Sequence, residues 1–307
     1  MPKYKCLLIP DWLGNGEKNG VESGPKILNE AVLSCDQKIG KFFLKDFFPD
    51  SPVIIPVPDN PPFFHRGGLY EKSKYLPEIE EVCKKTKKEI LKIIEEKKIP
   101  IILMGDDSSL IGVLSGILEK NSNNFGLIYF DAHADINTPD TSPSGCVFGM
   151  PLAYLININK QSREFNMESS FLYGQNITMI GARSFDKSEP EFIKEFGIKL
   201  YPPEEVNEYS AKKLCDEILN YYSEKEINKF FIHIDLDVID PSESVGTLLL
   251  EPDGIKSKKI TDLISYLTAK STNLGLSISE YNPLLDKDKK TLEIALNILR
   301  GYIENSY

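Results

Sequence analysis

Six short apolar runs, each bounded by turn residues and separated by longer segments with helical periodicity, constrain this chain more than any other feature. They are 5–9 "KCLLI", 99–104 "IPIILM", 125–130 "FGLIYF", 176–180 "NITMI", 229–236 "KFFIHIDL" and 273–279 "NLGLSIS". Strands alternating with helices in this way predict an α/β fold with a mainly parallel central sheet. Helices are expected over 24–34, 76–98, 108–120, 187–195, 209–223, 256–269 and 288–305. In 76–98, for example, Ile79, Val82, Cys83, Ile90, Leu91, Ile93 and Ile94 form an apolar stripe opposite Lys and Glu. No linker or internal repeat interrupts the pattern, so one domain is expected over 1–307.

Composition narrows the function classes. The formal net charge of -10 argues against nucleic acid or an anionic membrane as the main partner, and some of that acidity can serve a cation. No segment approaches a membrane span, and the opening apolar stretch is too short for a signal peptide, so a cytoplasmic protein is expected. The five cysteines are far apart, odd in number and without a CxxC pair, which reads as reduced thiols. Cys6 and Cys215 are expected in the core and Cys146 near a site.

In open α/β sheets, ligands bind beyond the carboxyl ends of the strands. Four predicted strand ends carry polar groups: "LMGDDSS" after 99–104, "FDAHAD" after 125–130, "HIDLDVIDP" closing 229–236 and "SISEYNP" closing 273–279. Side chains at alternate positions of an extended segment share a face, so Asp131, His133 and Asp135 can converge just beyond the sheet, and Asp235 and Asp237 obey the same parity. Carboxylates with an imidazole suit Mn²⁺-type cations, and bridging carboxylates suit a metal pair that activates one water.

The motifs "DAHADINTP", "SPSG", "GMPLA", "DLDVIDP" and "SEYNP", with "NGVESGPKIL" near the N-terminus, resemble the arginase branch of the ureohydrolases over essentially the whole chain. That resemblance implies a three-layer αβα sandwich, a binuclear manganese site and a homo-oligomer, commonly a trimer or hexamer. It implies hydrolysis of a small guanidino or amidino compound by hydroxide bridging the metals. Carried across motif by motif, it makes Asp131 and Asp235 bridging ligands, gives Asp135 to the first metal, and gives His133 and Asp237 to the second. Asn137 and Ser144 match positions that hold an amino acid's α-carboxylate, Asp186 one that meets its α-amino end, and Glu280 the carboxylate that receives the guanidinium. Asp135 also matches the group that handles the transferred proton.

Three positions depart from the family's pattern. Where the family reads Gly-Gly-Asp-His-Ser, with the histidine on the first metal, this chain has Gly105-Asp106-Asp107-Ser108. Asp107 is either a sixth metal ligand, permitting two Mn²⁺ per subunit rather than one, or an N-cap for the helix that follows. Cys146 and Phe148 stand where arginases hold a substrate-contacting Asn and a proton-carrying His, and "GTLLLEPDG" departs from the usual Pro and Gly. His233 lies one step deeper than Asp235 with the same parity, which favours a supporting or buried hydrogen-bonding role over direct ligation. His65, in a Pro- and Gly-rich loop, reads as a surface residue or, alternatively, a replacement proton carrier.

Overall fold

The computed structural model describes residues 3–61, 72–158 and 171–305, so His65 lies outside the described residues. The strands among them are β1 (Tyr4–Ile9), β2 (Lys38–Ile39), β3 (Phe42–Phe43), β4 (Val53–Ile54), β5 (Ile99–Met104), β6 (Gly126–Phe130), β7 (Ile177–Ile180), β8 (Lys199–Tyr201), β9 (Lys229–Asp235) and β10 (Thr272–Ser279). The α-helices are α1 (Gly24–Ser34), α2 (Leu76–Glu95), α3 (Leu110–Asn121), α4 (Pro151–Leu155), α5 (Glu189–Glu195), α6 (Pro203–Glu208), α7 (Ala211–Ser223), α8 (Ser257–Lys270) and α9 (Lys290–Asn305).

Eight strands form one sheet in the order β4-β1-β5-β10-β9-β6-β7-β8, with every pairing parallel. The antiparallel pair β2 and β3 stands apart. Helices cover both faces. Leu28 of α1, Leu214 of α7, Leu263 of α8 and Leu299 of α9 pack with Ile101, Ile232 and Ile278 on one face. Ile79 of α2, Leu114 of α3 and Leu152 of α4 pack with Ile102, Leu127 and Phe231 on the other. Each such side chain, fully buried, contributes about 1.5–3 kcal/mol relative to exposure. The three-layer αβα architecture is the one expected.

Local chemistry explains the boundaries. The α2 stripe is buried at Ile79, Val82, Cys83, Ile90 and Ile93, but the helix stops at Glu95, short of the expected 98, and Lys97 turns left-handed at φ 57°. α3 is apolar almost all round because it is buried from Leu110 to Leu118. It comes so close to α2 that a Cβ on Gly112 would stand 2.6 Å from the Cys83 carbonyl oxygen. Among the described residues no helix is long and apolar enough to cross a membrane.

Strand order is what makes a site possible. The strands β5, β10, β9 and β6 are consecutive neighbours in the sheet although far apart in sequence. Being parallel, they end on the same edge, and these are the four strands whose ends carry the polar motifs.

Candidate metal centre and substrate cleft

At the end of β5 the chain passes so close to the β1 turn that a Cβ on Gly105 would lie 1.9 Å from the Asp11 carbonyl oxygen. Only glycine fits there. Two backbone bonds fix this approach, Gly105 N to Ile9 O at 2.8 Å and Asp106 N to Asp11 O at 3.2 Å. Asp106 then caps the following turn, accepting the Ser108 amide at 2.9 Å and the Ser108 hydroxyl at 2.5 Å. Asp11 in turn accepts the Ser109 hydroxyl. The capping role therefore belongs to Asp106, and Asp107 turns instead toward His233 and Asp131. Its Oδ1 lies 3.0 Å from His233 Nε2.

Beyond β6, Asp131 Oδ1 accepts the His133 amide at 2.6 Å, which folds the segment back so that both side chains face one point. His133 Nδ1 stands 2.9 Å from Asp237 Oδ2 and 3.5 Å from Asp131 Oδ1. Asp237 also accepts the Ala132 amide at 3.0 Å, and Asp235 accepts the Asp237 amide at 2.7 Å, so the β6 and β9 ends are tied together. Among the described residues, two sets of possible ligand atoms gather within 4.8 Å: Asp107, Asp131 and His233, and Asp131, His133 and Asp237. Asp131 belongs to both. Asp135 and Asp235 line the same narrow inner cavity as His133, Asp237 and Glu280, but stand outside those two sets.

Burial and mutual repulsion dominate the electrostatics. Burial, then the charges of Asp131 and Asp107, holds Asp135 well above the usual carboxylate range. Burial with Asp237 and Asp131 does the same to Asp235, and burial with Asp107 and Asp106 to Glu280. For His133, burial pulls the pKa down, but Asp237 and then Asp131 outweigh it and push it up to about 12. Burial likewise opposes the charge on Asp237, yet His133 holds that carboxyl below its ordinary value. Such crowding calls for positive charge.

Whether a divalent cation fits can be judged from the unpartnered atoms. Both Asp107 oxygens, Asp131 Oδ2, His233 Nε2 and Glu280 Oε1 are buried without a hydrogen-bond partner among the described residues. Leaving one such group unsatisfied costs about 1–3 kcal/mol, more when charged. Carboxylate oxygens and imidazole nitrogen gathered within 4.8 Å of one another, as in Asp107, Asp131 and His233, are a donor set that suits Mn²⁺-type ions. The residues present fit the metal.

Two residues at the cavity hold backbone that side chains rarely adopt: Asp135 at φ 50° and Glu280 at φ 60°. Each is locked by its neighbours. Asp135 Oδ2 accepts the Tyr129 hydroxyl at 2.6 Å and its carbonyl accepts the Leu152 amide at 3.0 Å, while the Glu280 amide bonds the Gly105 carbonyl at 2.7 Å.

Outside the inner cavity lies a cleft of about 240 Å³ lined by Asn137, Ser144, Cys146, Asp186 and Glu189 among others. Asn137 Nδ2 donates to Asp186 Oδ2 at 2.7 Å, so the 137 and 186 segments meet in this cleft. Ser144 is exposed, and its hydroxyl accepts the Cys146 amide at 3.1 Å. The Cys146 thiol is buried, 3.4 Å from both Lys74 Nζ and the Asn15 carbonyl. Phe148 lines both cavities.

Several contributors were not singled out from sequence. Glu189 accepts the Ile136 and Asp186 amides at 3.2 and 2.7 Å, clamping the two substrate-side segments, and burial raises its pKa to about 7. Glu251 Oε1 comes 3.5 Å from His133 Nε2. Arg183 binds the carbonyls of Gly181, Asp237, Val238, Glu251 and Pro252, fastening the loop beyond β9 over the site. The spacing of "GAR" and "LEPDG" held no signal for the Arg183 contacts to that loop, which join residues 54 to 69 positions apart.

Fold and site together define an α/β protein that gathers carboxylates and imidazoles able to hold a metal ion at the carboxyl edge of a parallel sheet. The chain belongs to the arginase family, whose model matches residues 10–303. It is 32% identical over 304 residues to an arginase of Staphylococcus aureus (strain COL), covering 97% of each chain. The solved arginase of Bacillus caldovelox superposes with a TM-score of 0.86 at 26% identity, covering 98% of both chains. The Entamoeba histolytica arginase in complex with L-ornithine gives 0.84 at 25%, again over 98% of both. Membership places the chain among the metal-dependent ureohydrolases.

Proposed function

We propose that this protein hydrolyses a linear guanidino compound with an amino-acid head, most simply L-arginine to L-ornithine and urea. The observation that carries this reading is the continuity of the two cavities. His133, Asp135, Phe148 and Leu249 line both, so the polar outer cleft with Asn137, Ser144 and Asp186 opens onto the acidic inner one with Glu280. A polar head followed by a cationic tail matches that sequence of surroundings.

In this reading Asp107, Asp131, His133, Asp135, Asp235 and Asp237 would hold two Mn²⁺. When bound, the ions supply the Lewis acidity that makes a water nucleophilic near neutral pH. Asn137 and Ser144 donate to the α-carboxylate and Asp186 accepts from the α-ammonium. Glu280, with Oε1 unpartnered, accepts from the guanidinium and holds its carbon over the inner cavity. The water oxygen bonds to that carbon, the bond from carbon to the side-chain nitrogen breaks, and Asp135 passes the water's proton to the departing amine. Asp135 is held for this by the Tyr129 hydroxyl. Phe148 and Leu249 bring no acid or base to the passage between the cavities, and they limit the entry of bulk water.

The test is metal analysis of the purified chain after Mn²⁺ loading, followed by urea release from L-arginine, agmatine and guanidinobutyrate, and formamide release from formiminoglutamate. Stoichiometric manganese and urea from arginine are expected. Turnover of another substrate alone would move the assignment within the family. No bound metal after loading would overturn the hydrolase reading in favour of a binding or partner subunit.

A further inference from the structure

His233 is used neither by the reading above nor by ordinary core packing. It is wholly buried on β9, where its ring stacks on Tyr129 with centroids 4.7 Å apart at 27°. Register sets this up, since His233 pairs with Tyr129 of β6 and Ser277 of β10. Nδ1 lies 2.8 Å from the Ser277 hydroxyl. With that hydroxyl accepting, the proton sits on Nδ1 and Nε2 presents a lone pair. Nε2 is 3.0 Å from Asp107 Oδ1, yet neither atom has a hydrogen-bond partner, so the contact has the distance but not the direction of an N–H···O bond. Asp131 Oδ2, the third member of the cluster, is also unpartnered.

Three lone-pair donors turned together in a buried space repel one another unless a cation lies among them. Each donor comes from a different strand end: Asp107 after β5, Asp131 after β6 and His233 within β9. Tyr129 and Ser277 fix the imidazole plane and the nitrogen that faces inward, which is how a ligating histidine is usually oriented. We propose that His233 Nε2 is a direct ligand of the metal held by Asp107 and Asp131. The imidazole absent from position 107 is thus supplied by β9, two strands away across the sheet, and the donor set of this centre holds two histidines, His133 and His233. This assignment rests on the metal-binding part of the proposed function but not on the identity of the substrate.

The full-length chain tests it with Mn²⁺ as the probe, read by equilibrium metal content and by pulsed-EPR coupling to ¹⁴N. His233→Phe keeps a ring against Tyr129 but no donor, and Ser277→Ala keeps the imidazole while freeing its orientation. The wild type is expected to hold two Mn²⁺ and to show ¹⁴N coupling. His233→Phe should lose one of them, or bind it more than ~100-fold more weakly, with a matching loss of ¹⁴N coupling. Ser277→Ala should weaken that ion by roughly 10- to 100-fold, the usual effect of removing a ligand's supporting partner. Two ions at wild-type affinity and unchanged coupling in a folded His233→Phe would overturn the assignment. If His233→Phe does not fold, unchanged affinity in Ser277→Ala does so instead. Urea assays separate the two proposals: a wild type with two ions and His233-dependent coupling but no urea keeps this assignment and sinks the arginine reading.

Discussion

Asp135 and Glu280 adopt left-handed backbone without being glycine, a conformation that costs of order 1–3 kcal/mol and persists only where neighbours enforce it. Both are also buried among like charges, so their placement opposes stability and serves the cavity. Glu280→Gln should therefore divide the two properties. Turnover of a guanidinium substrate is expected to fall by ~10²–10³-fold, as when one pre-positioned polar contact is removed. The melting temperature of the metal-free protein should rise by about 2–4 °C, the usual gain from relieving ~1 kcal/mol in a chain this size. A variant that melts lower and still turns over would contradict this account. The carboxylates and His133 were readable because alternate positions at a strand end share a face. Whether Asp107 caps or ligates was not, since both roles suit an Asp before a helix. Asp106, whose side chain takes the cap, leaves Asp107 out of that role. The parity of His233 was equally plain, but its reach to Asp107 depends on a strand more than 100 residues away.

Six of the eight sheet strands and seven helices fall where apolar periodicity put them, because each is long enough to show a period. β4, with two residues, and β8, with three, are too short for one, and α4 and α6 are short turns opened by proline. The loop after β9 was the least legible element, since its shape comes from single polar anchors. Asp240 is the chief of these: it accepts the Ser242 and Gly254 amides at 3.0 Å each and the Ser242 hydroxyl, and lies 3.2 Å from Lys256 Nζ. The Ser242 contacts lead in holding its carboxyl down to about 2. A carboxyl depressed in the folded state stabilises above its ordinary pKa and loses that contribution as pH falls through the lowered value. Asp240→Asn should thus cost about 0.5–1.5 kcal/mol at pH 7, and the gap from wild type should close between roughly pH 4 and pH 2. Denaturant midpoints measured from pH 7 to pH 2 check it, and a gap independent of pH would count against the anchor.

The whole chain carries a net charge of -10, and a concentrated part of its acidity is buried in one cavity. Binding of Mn²⁺ to the native state alone should stabilise by ~2.7 kcal/mol at a hundredfold excess over Kd. That corresponds to a rise of about 5–10 °C in Tm, reversed by a chelator and read by scanning calorimetry. An unchanged Tm would mean that the folded chain gains nothing from the ion. The order of the sheet adds a consequence for synthesis. β10 lies between β5 and β9, so until it enters, β4-β1-β5 and β9-β6-β7-β8 are two sheets with unsatisfied inner edges. A nascent chain that has emerged only as far as α8 already contains the acidic motifs of β5, β6 and β9, and β9 can pair with β6, yet nothing holds the β5 motif beside them. The cluster that includes Asp107 thus waits on the last strand to enter, so an ion held there reports a finished sheet.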